Sequence, residues 1–257
     1  MLGKIFKKAY LGAVYFFLYA PLFLLIILSF NASEFGTRWV GFTFKWYIKL
    51  FNNSTLMDAA VNSFIVAAAS ATTATIIGTL AAVSIFRFKF FGKNFLMLLL
   101  YIVMMSPEIV MGISLLILFM LIGMPLGFTT LLIAHTTISL PFVMIVLFTR
   151  LSGFDKSVIE AAKDLGADEL RTFWHVILPS IAPAVIAGWL LSFTISMDDS
   201  IVSFFTTGPG FEVLPLKIYS MVRLGIKPEV NALSAIIFAF CIILVVIAQF
   251  LLKERKR

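Results

Sequence analysis

Long apolar stretches constrain this chain more than any other feature of its sequence. A membrane-spanning helix needs about 20 mostly apolar residues. Six stretches meet that requirement, at about 9–30, 61–85, 95–122, 126–148, 184–204 and 233–252. They predict an all-α integral membrane protein with six transmembrane helices, forming one domain over residues 1–257.

The overall composition excludes a soluble globular domain. The chain is 61% hydrophobic and 13% charged, with a mean hydropathy of +1.06, whereas soluble domains are about half apolar and about a quarter charged. Cys241 is the only cysteine, which rules out an internal disulfide and a cysteine metal site. The first apolar run is not followed by a small-residue cleavage site, so we expect it to remain as a span.

The basic residues are distributed unevenly between the segments that connect the spans. Fourteen of the 20 lie in one set, made up of both termini, the 86–94 connection and the 149–183 loop. The other six lie in segments 31–60 and 205–232. Cytoplasmic segments carry the excess of Lys and Arg, so we predict that both termini and the 151–183 loop are cytoplasmic.

The 151–183 loop contains a polar island, residues 160–183, in an otherwise apolar chain. Ala161 and Ala162 favour a helix, and Gly166 suits the left-handed position that ends one. Asp168 and Glu169 suit the start of a second helix because acids are favourable at the positive end of the helix dipole. We therefore predict a short helix, a glycine turn and a second short helix, which Pro179 and Pro183 end.

This island resembles the EAA loop of the membrane subunits of bacterial ABC importers. The matching positions are Glu160, Ala161, Ala162, Gly166, Phe173, Val176, Leu178 and Pro179. The resemblance extends from about residue 61 to the end of the chain and implies the type I ABC importer permease (MetI-like) fold. It also implies that the loop is a coupling helix seated in a cleft of an ATPase, with Glu160, Ala161, Ala162, Asp164, Leu165 and Gly166 in that role.

The resemblance further implies partners and a location in the bacterial cell inner membrane. A homologous permease subunit, two ATPase subunits and a periplasmic binding protein are expected. Within the family the chain is most similar to polyamine permeases, which import spermidine and putrescine. No GxxxxGK[ST] phosphate loop occurs in the sequence, so we expect no catalysis and no cofactor on this chain, and ATP and Mg on the ATPase. The basic tail, residues 253–257, is interpreted as a topology signal and not as a nucleic-acid site.

Three acidic residues fall within the predicted spans: Glu108, Asp198 and Asp199. An ionisable group in a membrane is costly and is a functional-site hypothesis by default. No Lys or Arg lies mid-span to neutralise them, so we expect unpaired negative charge that attracts a cationic solute. Ser196 is close enough in sequence to add a hydrogen bond. These four residues form the predicted substrate path.

Alternative interpretations of these polar residues remain open. Asp198 and Asp199 could instead form a helix cap near the outer end of the span, and Glu108 could be a protonated or internally bonded packing residue. His135, Thr136 and Thr137 are expected to form hydrogen bonds between helices rather than to bind solute.

Alternative functions also remain open. The same fold could import ferric iron or a basic amino acid, and a different class, an ATP-independent cation channel or carrier, would suit the buried acids but leave the EAA-like loop unexplained. The sequence lacks a nucleophile–base set and a metal-ligand cluster, which argues against an intramembrane enzyme.

Overall fold

The computed structural model describes residues 2–34, 38–223 and 228–254. Within these ranges the chain forms helices linked by short connections. Two isolated β-bridges pair Asn31 with Phe42 and Gly208 with Phe211. The helices are α1 (Leu2–Ser29), α2 (Lys45–Phe51), α3 (Ser54–Arg87), α4 (Lys93–Met105), α5 (Glu108–Leu121), α6 (Phe128–Ser152), α7 (Ser157–Asp164), α8 (Glu169–Thr172), α9 (Leu178–Asp198), α10 (Ile201–Thr206), α11 (Leu214–Arg223) and α12 (Pro228–Glu254), with a π-helical turn at Phe173–Ile177.

Four helical stretches of the described chain are long and apolar enough to cross a membrane. They are Phe6–Ser29, Ser54–Arg87, Phe128–Ser152 and Glu169–Asp198. The bent pair α4 and α5 makes a fifth if it counts as one span. The predicted sixth span, 233–252, lies within α12, whose stretch Pro228–Phe240 is a shorter apolar helix. The all-helical membrane architecture is therefore confirmed, while six spans and the side of the termini stay predictions.

The predicted span 95–122 is not one helix. The helix is interrupted at Ser106 and Pro107, and its axis bends there by 111°. A proline disfavours the helical conformation in the residue before it, and Ser106 is accordingly extended, with φ −71° and ψ 136°. The stretch is therefore a bent pair of helices, its crossing of the membrane as one span stays a prediction, and Glu108 becomes the first residue of α5.

The predicted break at Pro179 and Pro183 is wrong, because the helix continues from Glu169 to Asp198. Pro179 and Pro183 both lie inside this continuous stretch, so the loss of a backbone N–H donor at each does not end the helix. The π-helical turn Phe173–Ile177 precedes α9 and provides a wider turn of the kind often found within α-helices. The span then ends at Asp198, not at the predicted residue 204, because Asp199 is extended.

The described chain divides into two compact units. The first comprises residues 1–57 and 218–257, in which α12 packs against α1 and α2. Trp46 is buried there and donates from its indole Nε1 to the carbonyl of Asn31 at 2.6 Å. The Lys49 ammonium lies 2.7 Å from Glu229, and this hydrogen bond raises the pKa of Lys49.

The second unit, residues 58–217, contains both predicted functional regions. Its most extensive helix pair is α6 with α9. The main core joins α3, α6, α7 and α9 through buried residues that include Val83, Leu147, Ile159 and Ile181. α5 packs against α10, where a Cβ added to Gly112 would lie 2.6 Å from the Phe205 ring.

Candidate functional site

The predicted coupling loop forms the helix–glycine–helix structure that its sequence indicates. α7 ends at Asp164, and Gly166 takes the left-handed conformation with φ +82°. The Gly166 N–H donates to the Lys163 carbonyl at 2.8 Å, and the Ala167 N–H donates to the Ala162 carbonyl at 3.0 Å. This pair of bonds is the Schellman motif, which satisfies carbonyls at a helix end.

Two aspartates fix the starts of the short helices. Asp168 caps α8, because its Oδ1 accepts from the Arg171 N–H at 2.7 Å. Asp155 precedes α7, and its Oδ1 accepts from the Ser157 N–H at 2.9 Å. That hydrogen bond holds the pKa of Asp155 below its usual value. Both caps are local, so the loop defines its own backbone over residues 155–172.

The inner side of the loop is anchored in the main core of the second unit. Ile159 of α7 and Ile177 of the π-helical turn are buried against α3, α6 and α9. Phe154 and Phe173 pack beside them. A rigid-body displacement of the loop would therefore be passed directly to three long helices.

The outer side of the loop is apolar and exposed. Leu165 is 90% exposed, Leu170 67% and Trp174 56%. The predicted coupling residues Glu160, Ala161, Asp164, Leu165 and Gly166 are exposed, and Ala162 is half-buried. Large, exposed apolar side chains on a polar segment are typical of an interaction surface.

The predicted substrate-path residues separate into two groups. Asp199 and Ser196 are buried, whereas Asp198 and Glu108 are exposed. The His135 side chain contacts both Asp199 and Ser196 and so connects these two residues. The described hydrogen bonds of that network include neither Asp198 nor Glu108.

The expectation that Asp199 is unpaired is wrong. Its Oδ2 lies 3.4 Å from His135 Nε2, and both side chains are almost fully buried. Its two oxygens also accept from the backbone N–H groups of Val202 at 3.1 Å and Ser203 at 2.7 Å. Asp199 thus caps α10, which matches the alternative interpretation, and joins that helix to α6 through His135.

His135 is the centre of a buried hydrogen-bond network. Its Nδ1 lies 2.6 Å from Ser196 Oγ and its Nε2 lies 3.0 Å from Ser203 Oγ. Ser70 of α3 donates to Ser196 Oγ at 3.1 Å. The expectation of bonds between helices is confirmed for His135, since the network links α3, α6, α9 and α10, but it is wrong for Thr137, whose hydroxyl donates to the Ile133 carbonyl within α6.

Sequence reasoning named Ser196 and Asp199 but did not connect them to His135. Ser203, which bonds to His135, and Ser70, which bonds to Ser196, carried no signal of their own, because single serines in apolar helices are common packing residues. The only signal was the need of a buried histidine for hydrogen-bond partners. In the part of the chain that the structure describes, no group of three or more His, Cys, Asp or Glu side chains is arranged to hold a metal ion.

Comparisons with known proteins agree with this architecture. A family model described as "binding-protein-dependent transport system inner membrane component" matches residues 74–257. The chain is 51% identical over 257 residues to the spermidine/putrescine transport system permease protein PotC of Escherichia coli (strain K12), covering 100% of this chain and 97% of that protein. It is 41% identical over 248 residues to the putrescine transport system permease protein PotI of the same strain, covering 94% and 88%.

A solved structure supports the fold independently of close sequence similarity. It is a bacterial alginate ABC transporter in complex with an alginate pentasaccharide-bound periplasmic protein. The match has a TM-score of 0.70 at 16% identity and covers 96% of this chain and 91% of that one. With this fold and these relatives, the chain belongs to the binding-protein-dependent transport system inner membrane components, the type I ABC importer permeases.

Proposed function

We propose that the chain is the membrane permease subunit of an ATP-driven importer that moves polyamines, spermidine and putrescine, from a periplasmic binding protein into the cytoplasm. The observation that carries this proposal is the 51% identity over the whole chain to a spermidine/putrescine permease. The exposed carboxylates of Asp198 and Glu108 are chemically suited to a polycationic cargo.

The proposal includes the arrangement of the chain in the membrane. Residues 1–257 form a single permease domain with six spans in the bacterial inner membrane, and both termini are cytoplasmic. The excess of basic residues in one set of connecting segments supports this orientation.

The proposed partners are a homologous permease subunit, two ATPase subunits and a periplasmic polyamine-binding protein. ATP and Mg are bound by the ATPase subunits. The similar fold of an ABC transporter crystallised in complex with a periplasmic protein supports the binding protein as one of these partners.

In the proposed mechanism the coupling loop transmits closure of the ATPase dimer to the spans. The ATPase is contacted by the exposed Glu160, Ala161, Asp164, Leu165 and Gly166 and by the half-buried Ala162. Because Ile159 and Ile177 anchor the loop in the core, the displacement becomes a rigid-body rotation of the spans. The substrate path then opens outward, receives the cargo and resets after hydrolysis.

The two groups of substrate-path residues take different parts in this mechanism. Asp198 and Glu108 are exposed and can contact a passing cation directly. Asp199 and Ser196 are held by His135. They set the position of the end of α9, where Asp198 is the last residue. Binding on the path is weak, since a transporter must also release its cargo.

The test is reconstitution of this chain with the permease, ATPase and binding protein encoded beside it. ATP hydrolysis is measured with and without spermidine. We expect stimulation that requires binding protein and spermidine together. The paired variants Asp198→Asn and Glu108→Gln should lower uptake without lowering assembly.

Three other outcomes would replace parts of the proposal. Stimulation by ferric iron or a basic amino acid instead of spermidine would keep the importer and change the cargo. Uptake driven by an ion gradient without an ATPase would favour an ATP-independent channel or carrier. Failure of the chain to associate with an ATPase would refute the role of the coupling loop.

A further inference from the structure

Arg87 is the last residue of α3, and its side chain is nearly buried at a helix end. The side chain is only 9% exposed, and Nη2 lies 2.5 Å from Glu169 Oε2. A basic residue at the end of a span ordinarily extends toward lipid headgroups. Arg87 instead turns to the coupling loop and contacts the first residue of α8.

Glu169 connects Arg87 to a second cation. Its other oxygen, Oε1, lies 2.8 Å from the ammonium of Lys163, in the last turn of α7. One carboxylate therefore uses its two oxygens for two different helices. The three side chains join the end of α3 to both short helices, on either side of the Gly166 turn.

A second set of contacts fastens the beginning of the loop to the same helix end. Phe86 packs edge-on against Phe154, with ring centroids 6.4 Å apart. The ammonium of Lys156 lies 5.2 Å from the centroid of the Phe86 ring. The end of α3 thus contacts the loop both before α7 and at the start of α8.

The exposure of these side chains indicates what the cluster contributes. Glu169 is 54% exposed, and ion pairs with an exposed partner stabilise a fold very little. A bridging carboxylate nevertheless restricts the orientation of the groups it joins, because Arg presents its donors in a rigid planar fork. The cluster is therefore suited to fixing the orientation of the loop, not to holding the protein folded.

We propose that Arg87 is a positioning residue for coupling: through Glu169 it fixes α7 and α8 to the end of α3, so that displacement of the loop moves this span. The proposal rests on the proposed function, in which the loop contacts an ATPase. Lys163 holds the other side of the same carboxylate. No direct contact of Arg87 with ATP or cargo is required.

The functional test compares Arg87→Met with a matched control, Arg150→Met. Arg150 lies near the end of α6, and its side chain donates to the carbonyl of Ser180 at 3.3 Å, so its removal deletes the same charge without touching the cluster. In the reconstituted importer, we expect Arg87→Met to raise the ATP hydrolysed per spermidine imported by about fivefold or more. Arg150→Met should stay near the wild-type ratio, and Arg87→Lys should restore part of the coupling.

A double-mutant cycle identifies the partner of Arg87. If Arg87 acts through Glu169, then Arg87→Met should have little further effect on coupling once Glu169 is changed to Gln. Independent, multiplying effects of the two substitutions would overturn the proposal.

A measurement without transport separates this proposal from the proposed function. Hydrogen exchange of the backbone amides in residues 159–172 should be faster in Arg87→Met than in wild type or Arg150→Met, because the loop has lost one of its attachments. Unchanged exchange would refute the positioning role even if the importer is active. An inactive wild-type complex with the expected exchange pattern would instead refute the importer and leave the attachment in place.

Discussion

The coupling loop and the His135 network are both polar regions of the second unit, but they are built from different kinds of contact. In the loop, hydrogen bonds join residues two to five positions apart, such as Ser157 to Asp155 and Ala167 to Ala162. In the network, His135 bonds to Ser196 and Ser203, 61 and 68 positions away. The loop exposes its polar groups, whereas the network buries them.

This difference separates the consequences of mutation in the two regions. Exposed side chains of a loop contact water or a partner protein. Substituting one of them therefore has little effect on the stability of the fold. A buried polar group that loses its partner costs free energy directly. We therefore expect substitutions in the network to act on stability and substitutions in the loop to act on coupling.

The largest expected effect is that of Asp199→Ala. It removes the acceptor of the Val202 and Ser203 N–H groups and leaves His135 without its carboxylate partner, which should lower the free energy of unfolding by about 2–4 kcal/mol. The measurement is denaturant-induced unfolding in mixed micelles. The adjacent Asp198→Ala is the control, and its exposed side chain should leave stability within about 0.5 kcal/mol of wild type. Equal effects of the two substitutions would contradict the stabilising role of the buried network.

Gly208→Ala tests the tight packing beyond α10. A Cβ there would lie 2.1 Å from the carbonyl oxygen of Leu126, and a backbone atom cannot move aside as a side chain can. We expect the free energy of unfolding to fall by about 2–3 kcal/mol. Gly210→Ala, whose Cβ would meet open space, should be close to neutral in the same unfolding measurement.

Gly166→Ala should have a smaller effect on stability than on coupling. Its added Cβ meets no neighbour, but the left-handed conformation costs an alanine about 1–2 kcal/mol. Gly153→Ala is the control, because Gly153 has a negative φ of −95°. Thermal unfolding and ATPase stimulation would be measured together, and wild-type coupling in Gly166→Ala would argue that the turn geometry is not transmitted.

Leu165→Ser should have the smallest effect on stability, within about 0.5 kcal/mol, because its side chain is already in contact with solvent or partner. Its effect on binding should be large. Co-purification with the ATPase is the measurement, and Leu99→Ser, at an exposed apolar position of α4, is the control. Retained ATPase binding by Leu165→Ser would show that the exposed face of the loop is not the contact surface.

The coupling loop is the region that could be predicted best from the sequence. Its helix, Gly166 turn and Asp168 cap depend on interactions within a few residues, which local sequence patterns report directly. The break at Ser106 and Pro107 also had a local signal, but the 111° angle between α4 and α5 did not. That angle accompanies the packing of α5 on α10, where Gly112 lies against Phe205.

The pairing of the acids could not be predicted from sequence. Glu108, Asp198 and Asp199 have similar sequence surroundings, since each lies in an apolar stretch without nearby basic residues. Only the fold distinguishes them, because it brings His135 to Asp199 and leaves the other two carboxylates exposed.

By itself, the sequence determined that this protein is a helical membrane protein with a polar, helix–turn–helix loop, because apolar run length and helix capping are local properties. The tertiary structure decided where the helices break, which acid is paired with His135 and how Arg87 attaches the loop to α3. Those outcomes depend on side chains that are distant in sequence, and their partners are fixed only when the helices pack.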